Sequence, residues 1–167
     1  MIKIGDRIPD ATLTESTEFG EACPISPQNV SVSEATAGKR IVLFGLPGAY
    51  TPTCSAKHVP GYVKHLPELK AKKVDEVWCV SFNDGFVMAA WGKTQNAIGK
   101  IRFLGDGNGE LTRKLGLEVD LSKAGLGHRL QRFSMLIDNG IVKQLNVEAP
   151  GKFDVSDAET MLRQLAT

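Results

Sequence analysis

Apolar residues recur along the chain in two patterns, which predict alternating strands and helices. The continuous apolar run Ile41–Leu46 predicts a strand that is buried on both faces. After Cys54, apolar residues recur at helical spacing, at Val59, Tyr62, Val63, Leu66 and Leu69. This spacing predicts a helix that packs one face on the sheet. Pro60 and Pro67 lie inside it, so we expect a kink or an early break.

The same two patterns continue through the middle of the chain. They predict a strand at Val74–Phe82, a helix capped by Asp84 that runs to about Asn96, a strand at Ile101–Leu104, a turn at Asp106–Gly109 and a helix at Glu110–Leu115. Strands that alternate with helices are typical of an α/β domain with a central sheet.

The last third of the chain predicts a hairpin and a final helix. Apolar and polar residues alternate over Phe133–Asp138, and Asn139-Gly140 predicts a tight turn into a strand at Ile141–Val147. Ser156 to Glu159 has the spacing of a capping box, so a C-terminal helix is expected to begin there. An antiparallel hairpin makes the central sheet mixed. The 167 residues fit one domain over 1–167, in which the segment Thr14–Lys39 has no assigned structure.

Composition restricts the function classes. A formal net charge of +1 gives no reason to expect nucleic acid as a partner, and no segment is apolar and long enough to span a membrane. Three cysteines, an odd number, do not make a disulfide framework. We therefore expect a cytoplasmic protein whose thiols stay reduced.

Candidate chemistry is concentrated where the first buried strand ends. Pro47-Gly48 breaks the strand, and Thr51 and Cys54 follow at the predicted start of the helix. Unpaired N–H groups and the helix dipole stabilise a thiolate there, and the thiolate is the nucleophilic form. Taken separately, Cys54 is equally a buried structural residue, Thr51 a simple helix cap and Pro47 a loop breaker.

The spacing Pro-x-x-x-Thr-x-x-Cys, present as Pro47, Thr51 and Cys54, resembles the peroxidatic-cysteine motif of peroxiredoxins. The wider stretch 47–62 is similar to the type 5 (plant type II) subgroup. Three further stretches share the resemblance, namely Val80–Val87, Trp91-Gly92 and Arg132–Asp138.

The resemblance implies a thioredoxin-like fold and a thiol-dependent peroxidase. It implies that Cys54 reduces hydrogen peroxide and alkyl hydroperoxides and becomes a sulfenic acid. Glutathione with glutaredoxin, or thioredoxin, would then regenerate the thiol, and no metal, flavin or haem would be needed. A homodimer is also implied, with Tyr50, Phe86 and Trp91 as candidate interface aromatics.

The resemblance further implies roles for the residues around Cys54. Thr51 would bond the Cys54 sulfur and a peroxide oxygen, and Pro47 would shield the thiolate. The family pattern of an arginine six residues before an Ile-Asp strand end falls on Arg132, and strand parity puts Arg132 opposite Phe133. Its guanidinium would stabilise the thiolate and the polarised O–O bond. Arg129 is the weaker candidate, as a support.

Three residues keep alternative interpretations. Cys54 and His58 have metal-ligand spacing, with His65 as the only nearby further ligand. A polar contact to a residue that itself touches Cys54, or a buried histidine with its hydrogen bonds satisfied, fits His58 better. Cys79 is either an inert buried thiol or a resolving cysteine, because some subgroup members carry a second cysteine at this spacing. Cys23 lies in the unassigned segment.

Two other function classes fit parts of the sequence. A peroxide-sensing thiol switch or holdase would use Cys54 without sustained turnover. A cysteine hydrolase would need a histidine base with an orienting Asn or Asp, and His58 and His128 lack a recognisable partner pattern.

Overall fold

A computed structural model of the chain describes residues 1–166, in which strands and helices alternate. The strands are β1 (Thr12–Glu15), β2 (Glu18–Phe19), β3 (Pro24–Ile25), β4 (Gln28–Ser31), β5 (Arg40–Leu46), β6 (Glu76–Ser81), β7 (Arg102–Gly105), β8 (Glu118–Asp120), β9 (His128–Leu130), β10 (Phe133–Asp138) and β11 (Ile141–Val147). The helices are α1 (Val32–Thr36), α2 (Val59–Lys64), α3 (Leu66–Ala71), α4 (Gly85–Thr94), α5 (Glu110–Leu115) and α6 (Ala158–Leu165). A π-helical turn over Cys54–His58 leads directly into α2.

Seven strands form one mixed sheet in the order β11-β10-β5-β6-β7-β1-β4. Strands β5, β6 and β7 are parallel, whereas β10 is antiparallel to both β5 and β11. Strand β1 runs into the segment Thr14–Lys39, for which no structure is predicted, and β4 lies within that segment. The two strands pair antiparallel and extend the sheet beyond β7. The predicted α/β class with a central mixed sheet is therefore confirmed.

The two faces of the sheet bury separate apolar clusters, and strand alternation divides residues between them. In β5, Val42 and Phe44 belong to one cluster, and Ile41 and Leu43 belong to the other. Because both faces are covered, β5 has the continuous apolar sequence that predicted a buried strand. Cys54 lies in the first cluster, which we call the Cys54 face.

Several local predictions are confirmed by the backbone. The Asp84 side chain accepts a hydrogen bond from the Val87 N–H at 2.9 Å and caps α4. Asn139 and Gly140 have φ values of +48° and +80°, as the predicted tight hairpin requires. The helix predicted after Cys54 is broken, as expected, at His65, between α2 and α3. Pro67 lies in the first turn of α3.

The capping box predicted at Ser156 is wrong. Asp157 is the N-cap of α6, and its side chain accepts from the Thr160 N–H at 3.3 Å. The Ser156 hydroxyl donates instead to the Glu148 carboxylate at 2.7 Å. A long-range partner has therefore replaced the local one, and Ser156 belongs to the surroundings of Cys54.

Candidate active site

Cys54 lies in the first turn of the helical segment that follows β5. The chain is helical from Pro52, a residue type that suits the first helical position because its missing N–H has no helical partner. The Val59 N–H donates to the Cys54 carbonyl five residues back, which makes this turn π-helical. Such turns are frequent at functional sites. The Cys54 side chain is fully buried.

Arg132 directly precedes β10, and its side chain reaches Cys54. Its Nη2 lies 3.1 Å from the Cys54 Sγ, and its Nη1 lies 2.9 Å from the His58 Nδ1. The planar guanidinium therefore contacts the sulfur and the imidazole with its two ends. A charged donor at this distance stabilises negative charge on sulfur. The side-chain parity predicted for Arg132 is confirmed, because Phe133 and Met135 lie in the cluster on the opposite face.

His58 is a buried neutral imidazole whose two nitrogens both have partners. Its Nε2 donates to the Ser156 carbonyl at 3.1 Å, so its Nδ1 accepts from Arg132. Burial, together with the charge of Arg132, lowers the pKa of His58 to about 3. With Nδ1 turned to Arg132 and a low pKa, His58 is not placed as a general base for Cys54.

The metal-site alternative gains no support around His58. The His65 nitrogens lie 3.0 Å from Glu68 and 3.5 Å from Glu159, on the exposed side of the helix pair. Within residues 1–166, no group of three His, Cys, Asp or Glu side chains converges in a way that could hold a metal ion.

The loop before Cys54 is held by Thr51 and Arg129. The Thr51 hydroxyl donates to the Gly48 carbonyl at 2.7 Å, and not to the Cys54 sulfur as the resemblance implied. Arg129 donates from Nη1 to the Pro47 carbonyl at 3.2 Å and from Nε to the Leu126 carbonyl at 3.0 Å. A Cβ on Gly48 would lie only 2.7 Å from the Arg129 Nη1, so glycine permits this approach. Arg129 bonds the loop through these two carbonyls, and Arg132 is the arginine that reaches the sulfur.

A cleft of about 490 Å³ lies beside these residues. Its lining includes Pro47, Thr53, Arg132 and residues 148–154. The Phe153 ring lies 5.8 Å from the Arg132 Cζ and 5.0 Å from the His58 ring. Pro47 and Phe153 therefore line the same cleft as the Arg132 guanidinium.

Sequence reasoning missed the residues that support His58. Glu148 and Ser156 are buried, and the Ser156 carbonyl accepts from both the His58 Nε2 and the Tyr62 hydroxyl, the latter at 3.0 Å. His58 and Ser156 are 98 residues apart, so no local motif joins them. The one signal that the sequence offers is Glu148, a charged residue directly after the predicted strand Ile141–Val147.

The other two cysteines are separate from the Arg132 contact. Cys79 is fully buried in the middle of β6, on the Cys54 face, and Cys23 is exposed beyond β2. All three thiols are free.

Trp91 was wrongly grouped with the candidate interface aromatics. It is fully buried, and its Nε1 donates to the Ser55 hydroxyl at 3.0 Å. Tyr50 and Phe86 are 55% and 47% exposed, so they alone remain available to a second subunit.

The chain is similar to known proteins of one family. The Redoxin family model matches residues 3–162. Peroxiredoxin-2C of Arabidopsis thaliana is 49% identical over 164 residues, which cover 98% of each chain. Peroxiredoxin-2F, mitochondrial, of the same plant is 42% identical over 158 residues, which cover 94% of this chain and 79% of the relative.

A solved structure is equally similar. The crystal structure of reduced Prx3 in complex with hydrogen peroxide from Vibrio vulnificus has 50% sequence identity and a TM-score of 0.91, over 99% of both chains. This likeness confirms the thioredoxin-like fold that the sequence resemblance implied. The chain belongs to the Redoxin family and, within it, to the type 5 (plant type II) peroxiredoxins, which are thiol-dependent peroxidases.

Proposed function

We propose that Cys54 is the peroxidatic nucleophile and that Arg132, Thr51 and the Cys54 N–H hold and polarise a peroxide beside it. The observation that carries this proposal is the 3.1 Å contact between the Arg132 Nη2 and the Cys54 Sγ in a fully buried position. Preorganised donors in a water-poor site stabilise developing charge far better than water does. Pro47 lines the cleft beside Arg132 and limits access to the thiolate.

The proposed substrates are hydrogen peroxide and alkyl hydroperoxides. The Cys54 thiolate attacks the terminal oxygen of R–O–O–H, so that an S–O bond forms while the O–O bond breaks. Sulfur is oxidised, and the leaving oxygen takes the electron pair of the broken bond. A proton then converts that oxygen to water or an alcohol, and Cys54 is left as a sulfenic acid.

Thr51 is assigned the role of accepting the peroxide hydrogen. Its own hydroxyl proton is donated to the Gly48 carbonyl at 2.7 Å. The lone pairs of its oxygen therefore remain available for an O–H donor. Arg132 supplies the complementary donors, so the two side chains together would orient the peroxide toward Cys54.

We assign reduction to an external thiol. Glutathione attacks the Cys54 sulfenic acid and releases water to form a mixed disulfide. A second thiol, from glutaredoxin with glutathione, then returns Cys54 to the thiol; thioredoxin is the alternative donor. Cys79 is a poor competitor, because burial holds the pKa of its thiol well above the usual range.

The test is a steady-state peroxidase assay, run in parallel with glutathione–glutaredoxin and with thioredoxin. We expect sustained turnover that is lost completely in Cys54→Ser. A thiol switch without turnover would instead consume one equivalent of peroxide and stop. An unchanged rate in Cys54→Ser would contradict the assignment of the nucleophile.

A homodimer is proposed through the surface that carries Tyr50 and Phe86. Both aromatics are about half exposed, and both lie along α4, because the Tyr50 hydroxyl is 3.4 Å from the Thr94 hydroxyl and Phe86 is in the first turn. Exposed aromatics are enriched at subunit contacts. Sedimentation should give a dimer at micromolar concentration, and Tyr50→Ser with Phe86→Ser should shift it toward monomer.

A cytoplasmic location is proposed from the three free thiols, which fit a reducing compartment. Among residues 1–166, no helix is long and apolar enough to cross a membrane. Cell fractionation with antibody detection tests the location, and recovery in an organelle would contradict it.

A further inference from the structure

Glu148 is a buried carboxylate that the proposed chemistry does not use. It is only 7% exposed, and its N–H donates to the Arg132 carbonyl at 3.0 Å, one residue beyond the β10–β11 pairing. Glu148 and Arg132 are thus neighbours across the end of the hairpin, with opposite charges. Their side chains nevertheless do not pair with each other: Arg132 contacts Cys54 and His58, and Glu148 bonds residues 154–156.

The Glu148 carboxylate accepts hydrogen bonds from three consecutive backbone N–H groups. The Asp154 N–H lies 2.9 Å from both carboxylate oxygens, and the Val155 and Ser156 N–H groups lie at 2.9 and 2.8 Å. The Ser156 hydroxyl adds a bond at 2.7 Å. Burial raises the pKa of Glu148, but these bonds outweigh burial and hold the pKa below its usual value. The charged carboxylate thereby folds residues 149–154 back onto the end of β11.

From Ser156, a chain of three hydrogen bonds leads back to the Cys54 sulfur. The Ser156 carbonyl accepts from the His58 Nε2 at 3.1 Å, and the His58 Nδ1 accepts from the Arg132 Nη1 at 2.9 Å. The other end of the same guanidinium contacts the Cys54 Sγ at 3.1 Å. The loop closed by Glu148 also carries Phe153, whose ring packs against both His58 and Arg132.

The tautomer of His58 connects these contacts. While the Ser156 carbonyl accepts from Nε2, the imidazole proton stays there and Nδ1 has a lone pair for Arg132. If Ser156 moved away, the proton would be free to occupy Nδ1. An N–H would then face the guanidinium N–H, and the guanidinium would have to turn away from the sulfur.

We propose that Glu148 is a positioning residue for Arg132, acting through Ser156 and the tautomer of His58 to aim the guanidinium at Cys54. This inference rests on the proposed role of Arg132 in peroxide reduction. It assigns to Glu148 an effect on the reaction of Cys54 with peroxide, beyond the stability that any buried, hydrogen-bonded carboxylate contributes.

The first test is a double-mutant cycle on the rate of Cys54 oxidation, measured by stopped flow in a single turnover with hydrogen peroxide. Glu148→Gln keeps the shape but turns an NH₂ toward N–H donors, so we expect the second-order rate constant to fall roughly tenfold to a hundredfold. In an Arg132→Met background, the same change should lower the rate by less than about twofold, because the residue it positions is gone.

Asp106 is a matched control for a purely structural effect. It is also a buried carboxylate that accepts from two backbone N–H groups and a hydroxyl, those of Leu111 and Thr112, but it lies at the start of α5. Asp106→Asn should lower the melting temperature and leave the peroxide rate within about twofold. A rate loss in Glu148→Gln no larger than in Asp106→Asn would overturn the proposal, as would an equal loss in the Arg132→Met background.

The second test reads the tautomer without using peroxidase activity. The chain has three histidines, so ¹⁵N imidazole shifts are few, and His58→Gln identifies the signal of His58. We expect the Nε2–H form in the wild type and a mixture of forms in Glu148→Gln. If Glu148→Gln does not fold, Glu148→Asp, which withdraws the charge by one methylene, is measured in both tests. An unchanged His58 tautomer in Glu148→Gln would overturn the proposal. A wild-type protein that does not react with peroxide, but whose His58 tautomer changes in Glu148→Gln, would overturn only the proposed function.

Discussion

Cys54 and Cys79 are both fully buried in the same apolar cluster, yet their surroundings differ in polarity. Cys54 lies in the first turn of a helical segment, and its sulfur lies 3.1 Å from the Arg132 Nη2. Cys79 lies in a central strand, where its neighbours in register are Phe44 on β5 and Phe103 on β7. The same residue type at the same depth is therefore a candidate nucleophile in one place and a core side chain in the other.

The difference shows that burial alone does not make a thiol reactive. Burial raises the pKa of the Cys79 thiol, the negative charge of Cys54 raises it further, and Arg132 only partly opposes both. At Cys54 the Arg132 guanidinium contacts the sulfur, and the sulfur lies in the first turn of a helical segment, where the helix dipole favours negative charge. The rate at which Cys54 reacts with peroxide should therefore depend on the polar side chains around it, and substitution can change these side chains one at a time.

The largest effect is expected from Arg132→Lys, which keeps the charge and removes the planar donor pair. An ammonium group cannot contact the Cys54 sulfur and the His58 Nδ1 in the same geometry. We expect the second-order rate constant for hydrogen peroxide, measured by stopped flow, to fall by about 10²–10³. Arg129→Lys is the matched control, and its loss should stay below about tenfold. If Arg129→Lys were the more damaging change, the contrast between the two arginines would be wrong.

A smaller effect is expected from removing the hydroxyl of Thr51. Thr51→Val keeps the shape but cannot accept a peroxide proton or bond the Gly48 carbonyl, so the same rate constant should fall about tenfold to a hundredfold. Thr51→Ser retains the hydroxyl and should stay within about threefold of the wild type. Equal losses in both variants would point to packing by the methyl group instead.

The pH dependence of the free energy of unfolding should show that His58 is buried as a neutral group beside Cys54. The pKa of His58 is 6.5 when solvated and about 3 when folded against Arg132, with Tyr62 and Glu148 also facing it. Below pH 6.5 the unfolded chain binds a proton that the folded chain does not, so the free energy of unfolding should fall as pH drops. The slope should approach about 1.4 kcal/mol per pH unit between pH 6 and 5.

Urea unfolding between pH 7.5 and 5 measures that slope. Glu148, whose pKa is held below its usual value in the folded chain, adds to the slope only near the lower end of this window, where the unfolded chain begins to protonate its carboxylates. His58→Gln should remove most of the slope, while His65→Gln, at a histidine paired with surface glutamates, should keep it. A slope that survives in His58→Gln would mean that His58 is not the buried neutral group.

The sequence predicted the elements whose signals are local. The alternation over Phe133–Asp138 gave the parity of Arg132, and the Asn139-Gly140 turn and the Asp84 cap are formed as expected. Strands β8 and β9 were missed because each has only three residues and is largely unburied, so no period can be recognised.

What failed depended on contacts between distant parts of the chain. Ser156 matched a capping box, yet its hydroxyl bonds Glu148 and its carbonyl bonds His58, and neither bond has a local signature. Trp91 was assigned to a surface because aromatics are common at interfaces, but its N–H is satisfied inside by Ser55, 36 residues away. A sequence pattern reports the period of an element, whereas these partners are set by how the elements pack.

The smallest effect is expected at Cys79, where the comparison of the two cysteines is tested most directly. A disulfide needs Cα atoms within about 4.4–6.8 Å and compatible Cβ directions. Cys54 is held in a helical turn and Cys79 in a strand that is paired on both sides, so bridging them would require that turn to unwind. Unwinding would also break the Arg132 contact, whereas an external thiol needs only access to the Cys54 sulfenic acid.

Cys79→Ala should therefore keep turnover with glutathione and glutaredoxin within about twofold of the wild type. Its cost should appear in stability, because a fully buried sulfur is replaced by a smaller group, with a loss of about 1 kcal/mol. Mass spectrometry of the peroxide-treated wild type should find little Cys54–Cys79 disulfide. A stoichiometric bond between them, together with lost turnover in Cys79→Ala, would make Cys79 the resolving residue. It would also show that a strand-bound thiol without donors can still be reactive once the helix beside it opens.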